Sequence, residues 1–251
     1  PTFVSKNMED IYSIVRLDKE GPSTRCFQVT RSAMDRILEG THELVNMFRR
    51  KLDDPGVSES TKNAIRKLVG DTDDDRRMDE EAIRYSLWLD SERAACFFAE
   101  MVLICEGATE KCLIDYLVKN KWDKLRRRKV YVLDAMGKFN VHRFMNLFGA
   151  LGIRHGVLLD KDQDKDVHKF VNAFIEENRN NCTCGIAFFE RDIENFLGIP
   201  KPQDDRRDKR PLNVMWHYRN GRIPETKIEQ LRQMVYKLLL RDAESPDPIS
   251  S

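Results

Sequence analysis

The sequence predicts an α/β fold: a parallel sheet flanked by helices, preceded by an α-helical subdomain. Three observations carry this. Short apolar runs at 101–105, 129–133, 155–159 and 185–189 have the length of buried strands. A helical pattern follows the first three directly, and alternating units of this size build a parallel sheet covered by helices. Upstream, residues 31–98 show helical spacing alone.

Taken in order, 11–16 and 26–30 read as two short strands joined by the turn-like Lys19-Glu20-Gly21-Pro22-Ser23. Two strands alone are marginal in water, so they are expected to complete a sheet made elsewhere. Ser32 can cap a helix carrying Met34, Ile37, Leu38, Leu44, Val45 and Phe48, broken at Asp53-Asp54-Pro55-Gly56. Ser58 opens a second helix with Ile65, Leu68 and Val69. Further helices are expected over 78–89 and 91–100. Helical spacing follows each of the first three strands: Leu113, Ile114, Leu117 and Val118; then Val141, Phe144, Leu147, Phe148 and Leu151; then Val167, Phe170, Val171, Phe174 and Ile175. The tail reads as a basic linker, an aromatic patch at Trp216, His217 and Tyr218, and a last helix over 225–240.

At 251 residues, one or two domains are expected. The net charge of +1 announces no global attraction to nucleic acid, but charge is clustered. Residues 119–129 and 206–210 are basic blocks, and 71–75 is acidic. No apolar run approaches a membrane span. Six scattered cysteines form no CxxC pair and lack a zinc-spaced His, which fits a reduced, cytoplasmic protein. His142, His155, His168 and His217 show no triad or ligand spacing.

The strand ends carry the chemistry. Glu106 follows the first strand, and Glu110 lies in the first turn of the next helix, where the dipole favours negative charge. Asp160 and Asp162 end the third strand two residues apart, and Asp192 and Glu194 follow the fourth. In open α/β sheets that edge is where ligands bind. Six acids delivered to one edge would repel each other unless hard cations gathered them. Two Mg²⁺ or Mn²⁺ ions about 3.5–4 Å apart can stabilise the attacking and leaving oxygens of a phosphodiester. Asp164 and Asp166 read instead as helix-start charges.

Three of these stretches together resemble the Toprim domain shared by topoisomerases, primases and some nucleases: Glu106-Gly107-Ala108-Thr109-Glu110, Asp160-Lys161-Asp162, and Asp192-Ile193-Glu194-Asn195-Phe196-Leu197. The resemblance covers roughly 96–200. Residues 91–100 and Met136-Gly137-Lys138-Phe139-Asn140 further resemble the OLD (overcoming lysogenization defect) family of nucleases, relatives of the nuclease in Gabija-type phage defence. That resemblance implies a divalent-metal-dependent DNA endonuclease or nickase, fused to an ABC-type ATPase, dimeric, and acting in phage defence or DNA repair. Residues 1–30 would be the remnant of ATPase strands, 31–95 a helical subdomain, and 96–251 the Toprim domain with a C-terminal helical extension. The chain begins at Pro1, so a larger natural protein is expected. No G-x-x-x-x-G-K-[ST] occurs, so ATP would bind only through a further domain.

By the same resemblance, Asp160 and Asp162 would hold one metal, with Glu106 bridging or activating water. Glu110 with Asp192 or Glu194 would hold the second. The family also uses a lysine on the C-terminal side of the site, for which Lys209 and Lys227 are the candidates. Lys138, Arg206, Arg207, Lys209 and Arg210 are expected to contact nucleic-acid phosphates. Two other readings stay open: a primase-like or topoisomerase-like Toprim protein, for which the tyrosines give no motif, and an inactive nucleic-acid-binding module.

Overall fold

The computed structural model describes residues 12–70, 80, 93–162, 166–202 and 208–240. In chain order the elements are β1 (Val15–Glu20), β2 (Ser23–Gln28), α1 (Arg31–Asp53), α2 (Glu59–Val69), a 3₁₀ turn (Arg93–Phe98), β3 (Met101–Cys105), α3 (Ala108–Asn120) and α4 (Asp123–Arg127). They continue with β4 (Val130–Asp134), a 3₁₀ turn (Lys138–Asn140), α5 (Val141–Ala150), β5 (Arg154–Asp160), α6 (Asp166–Glu177), β6 (Thr183–Phe189), α7 (Ile193–Leu197), α8 (Lys209–Arg219) and α9 (Glu225–Leu240).

The chain divides into two compact units. One comprises Pro1–Phe98, His142–Ile153 and Gln163–Asn180. Its β1 and β2 pair antiparallel from Val15↔Gln28 to Glu20↔Ser23, about a turn with Gly21 at φ 60°. The strands therefore fall a few residues away from 11–16 and 26–30, and Lys19 and Glu20 belong to β1 rather than to the turn. Thr30, not Ser32, caps α1: its extended backbone lets Oγ1 accept from the Ala33 N–H at 3.2 Å. Ser58 caps α2 as its sequence indicates, accepting from the Thr61 N–H. Thr61 also donates to Asp166 Oδ2, which ties α2 to the start of α6. The helix expected over 78–89 lies outside the described residues apart from residue 80, and the one expected over 91–100 is the short 3₁₀ turn.

The second unit comprises Ala99–Val141, Arg154–Asp162 and Asn181–Ser251. It holds a four-stranded, wholly parallel sheet in the order β4-β3-β5-β6. The first strand in sequence is thus flanked by the second and third, so the order reverses at β3. Crevices open at the carboxyl ends of strands where the order reverses. Met101, Leu103 and Cys105 of β3 join a core with Leu113, Ile114 and Leu117 of α3 and with Leu231, Val235 and Leu239 of α9. The alternate residues Val102 and Ile104 are equally buried, as a central parallel strand requires. Gly156 on β5 allows close approach of α9: a Cβ there would meet Leu239 Cδ2 at 2.9 Å.

The fold differs from the sequence reading in the tail. Lys209 and Arg210 of the expected basic linker and the aromatic patch lie in α8, which packs along α3 with Tyr218 edge-on to Tyr116. Pro211 sits in its first turn, where its missing N–H costs nothing. Val214 and His217, three residues apart, form the buried stripe.

Candidate metal centre

Beyond β3 the chain is clamped between its two neighbours. The Glu106 N–H donates to Leu158 O of β5, while Ala135 N–H and Gly137 N–H, past β4, donate to Cys105 O and Glu106 O. Glu106 thus sits at the point where the strand order reverses. Its carboxylate reaches across to β5, where Oε2 accepts from the Asp160 N–H at 3.1 Å. Glu110 folds back on its own helix start, accepting from the Gly107 N–H at 3.1 Å, so the capping bond of α3 fixes its direction.

These residues surround a cavity of about 390 Å³, lined among others by Glu106, Glu110, Asp134, Asp160 and Arg210. Burial pushes the Asp160 carboxyl up, to about 9, and Glu110, Glu106 and Asp162 add to the shift while Arg210 opposes it. Burial likewise raises Glu110, to about 8, with help from Glu106 and Glu194. Asp160 Oδ1 is buried and has no hydrogen-bond partner. A buried carboxylate oxygen without a donor is costly, and a cation relieves that cost. The donors are all hard oxygens, as Mg²⁺ and Mn²⁺ prefer. In the chemistry of their donors, the residues present therefore suit a divalent cation.

Of the six acids expected to bind metal, Glu106, Glu110 and Asp160 line this cavity. The others are held by cations of the chain itself. Asp162, at φ 46°, turns its carboxylate to Lys138 Nζ at 2.9 Å. Glu194, fully buried, accepts a bidentate pair from Arg210 through Nε at 2.6 Å and Nη2 at 2.5 Å. Hydrogen bonding to Glu194 in turn raises the Arg210 guanidinium further above its already high value. Asp192 caps α7 by accepting from the Asn195 N–H and pairs with Lys201 at 2.7 Å. Among the described residues, no group of three or more His, Cys, Asp or Glu is arranged to hold an ion, so Glu106, Glu110 and Asp160 share the cavity without forming a ready-made ligand set.

The cations fall in unexpected places. Lys138, expected at a nucleic-acid phosphate, is 1% exposed and bonds to Asp160 O and Asp162 Oδ2. Arg210 lines the cavity. Lys209 opens α8 beside it, and Lys227 lies 5.2 Å over the Phe196 ring. Arg206 and Arg207 lie outside the described residues.

Asp134 was missed, although it carries the same signal as Asp160: a carboxylate ending a parallel strand. Its Oδ1 accepts from the Met136 N–H at 2.7 Å, which shapes the turn before Lys138.

Two comparisons bear on this site. No curated protein matches the chain significantly. Residues 97–162 match the family described as "Overcoming lysogenization defect protein-like, TOPRIM domain". The match spans Glu106, Glu110, Asp160 and Asp162 and stops before Asp192. This stretch of the chain is therefore an OLD-like Toprim region, a metal-binding fold of nucleic-acid processing.

Proposed function

We propose that this protein is a divalent-metal-dependent DNA endonuclease or nickase that hydrolyses phosphodiester bonds with Mg²⁺ or Mn²⁺. One observation carries the reading. Glu106, Glu110 and Asp160 face a single cavity where the strand order reverses, and Asp160 Oδ1 lacks a donor there. Glu106, Glu110, Asp160 and Asp162 would be ligands, with Asp192 and Glu194 contributing from the fourth strand. Bound there, metal ions supply Lewis-acid activation of water and stabilisation of the leaving oxygen, most effectively as a pair. The chain's own residues hold the geometry: the Asp160 N–H fixes Glu106, and the start of α3 fixes Glu110. Lys209 and Lys227 are the candidates to neutralise charge on the phosphate, and Lys209 with 206–207 and Arg210 would meet the nucleic-acid backbone.

The wider setting belongs to the same proposal. An upstream ABC-type ATPase, with residues 1–30 as its last strands, would account for the lone hairpin, followed by a helical subdomain over 31–95 and the Toprim domain over 96–251. Such a protein would act as a cytoplasmic homodimer in phage defence or DNA repair.

A second reading, a nucleic-acid-binding module without catalysis, draws on the Lys138 and Arg210 pairs that occupy two of the acids. Plasmid DNA incubated with Mg²⁺ or Mn²⁺, then with EDTA, separates the two. Metal-dependent nicking that Asp160→Asn removes supports the nuclease. DNA binding without nicking under either ion supports the module.

A further inference from the structure

Lys138 is among the largest fully buried side chains of the described residues, and its ammonium meets three oxygens of the candidate centre. Nζ donates to Asp160 O at 2.5 Å and to Asp162 Oδ2 at 2.9 Å, and stands 3.6 Å from Glu106 Oε2. Taking an ammonium out of water is unfavourable unless anions and acceptors surround it, and here they do.

The chain also goes to some length to bring it there. Met136 at φ 58° and Gly137 at φ 114° place two consecutive residues in the left-handed region, which a non-glycine residue enters only at a cost. The turn is pinned by Met136 N–H to Asp134 Oδ1, by Gly137 N–H to Glu106 O, and by Asn140 Nδ2 to Ala135 O and Met136 O. A lysine presented on so fixed a turn is held in place rather than reaching for a ligand.

A divalent ion on Asp162 Oδ2 and Glu106 Oε2 would sit about 2.0–2.6 Å from each oxygen. It would then lie within a few ångströms of the ammonium, where like charges in a buried site repel strongly. Asp160 Oδ1 lacks a donor and borders the cavity with Glu110, so that side can take an ion while Lys138 stays in place. We propose that Lys138 is a positioning residue whose ammonium serves as the second cation of the centre, fixing Asp162 and Glu106 so that the protein without nucleic acid takes one exchangeable divalent ion, at Asp160 and Glu110. This rests on the proposed function and revises the number of ions in its resting state.

Calorimetric titration of the full chain with MnCl₂, without DNA, tests it, alongside melting with and without Mn²⁺. The wild type should bind one Mn²⁺ per chain, Lys138→Met two, and Lys138→Arg one. Mn²⁺ should raise the melting temperature of Lys138→Met more than that of the wild type. If Lys138→Met folds only when Mn²⁺ is present, the ion is replacing the ammonium and the proposal stands. Two ions on the wild type would overturn it. So would one ion on Lys138→Met, or a Lys138→Met chain that Mn²⁺ fails to fold. A wild type that takes no Mn²⁺ at all would overturn the proposed function along with it.

Discussion

The two ends of the four-stranded sheet carry opposite charge and handle it in opposite ways. At the amino end of β4, Lys124, Arg126, Arg127, Arg128 and Lys129 are all exposed. Arg126 pairs with Asp123 at 2.7 Å and donates to Lys119 O at 3.3 Å, and Lys124 lies 6.0 Å over the Tyr236 ring. At the carboxyl end, Glu110, Asp160, Asp192 and Glu194 are buried, and Lys138 and Arg210 are drawn in among the acids. Water and salt screen the first cluster, so its like charges coexist cheaply. The second is shielded from water, so its like charges persist only with counter-ions fixed in place or with shifted protonation. Like charge at a sheet edge thus points to a site when it is buried, and the number of charges alone does not.

The largest test of this contrast is at the carboxyl end. Asp160→Asn should lower metal-dependent nicking by about three orders of magnitude, the scale seen when one group stabilising developing charge is lost. Its melting temperature without metal should hold or rise, because the amide replaces a carboxyl that the buried site holds protonated only at a cost. Plasmid assays and thermal melts would show both, and a large fall in melting temperature would mark Asp160 as structural instead.

Arg210→Met comes next. It leaves the Glu194 carboxylate buried without its bidentate partner. Breaking a fully buried pair costs ~3–5 kcal/mol, and because Arg210 is partly exposed, a loss of about 2–3 kcal/mol in urea unfolding is expected. Adding Glu194→Gln should recover much of it.

A pH series sharpens the comparison further. The folded carboxyls of Asp160 and Glu110 are raised, so as pH climbs the unfolded chain releases these protons first. Their contribution to metal-free stability is therefore fully present below about pH 4, where both states are protonated, and is lost as pH rises toward 8–9. The stability advantage of Asp160→Asn over wild type should grow across that range. An advantage independent of pH would mean that Asp160 is not protonated in the metal-free fold.

The smallest effect is expected at the amino end. Neutralising Arg126, Arg127 and Arg128 with Gln should change stability by no more than about 0.5 kcal/mol. The salt dependence of DNA binding should also stay put, whereas neutralising Lys209 with 206–207 should flatten its log–log slope by about 0.9 per lost phosphate contact. A reversal would place the DNA path at the wrong edge.

Glu106 and Asp160 were legible in the sequence because both follow apolar runs directly, and a parallel sheet sends such residues to one edge. The strands were legible for the same reason: β3, β4, β5 and β6 lie within two residues of their expected ends. Lys138 was not. A lysine after a glycine reads as a loop residue at a phosphate, and its burial follows from two positive φ angles that no local pattern in Met136-Gly137 announces. The Arg210–Glu194 pair spans sixteen residues and depends on α8, whose buried stripe of Val214 and His217 is too narrow to show through basic and aromatic neighbours.

The irregularity in β6 has a consequence for inheritance. His155 pairs with Thr183 and Gly156 with Gly185, so Cys184 is an extra residue opposite that step. Beyond it the ladder runs without interruption to Asp160↔Phe189. Had the insertion slid the strand instead, every later side chain would have changed face and Asp192 would have moved with them. The bulge works as a slack link: length gained or lost at one margin of the sheet is absorbed on the spot. Insertions and deletions around 182–184 are therefore expected to leave Asp192, eight residues beyond Cys184, in place, and alignments of descendants should gap there long before they gap at the acids.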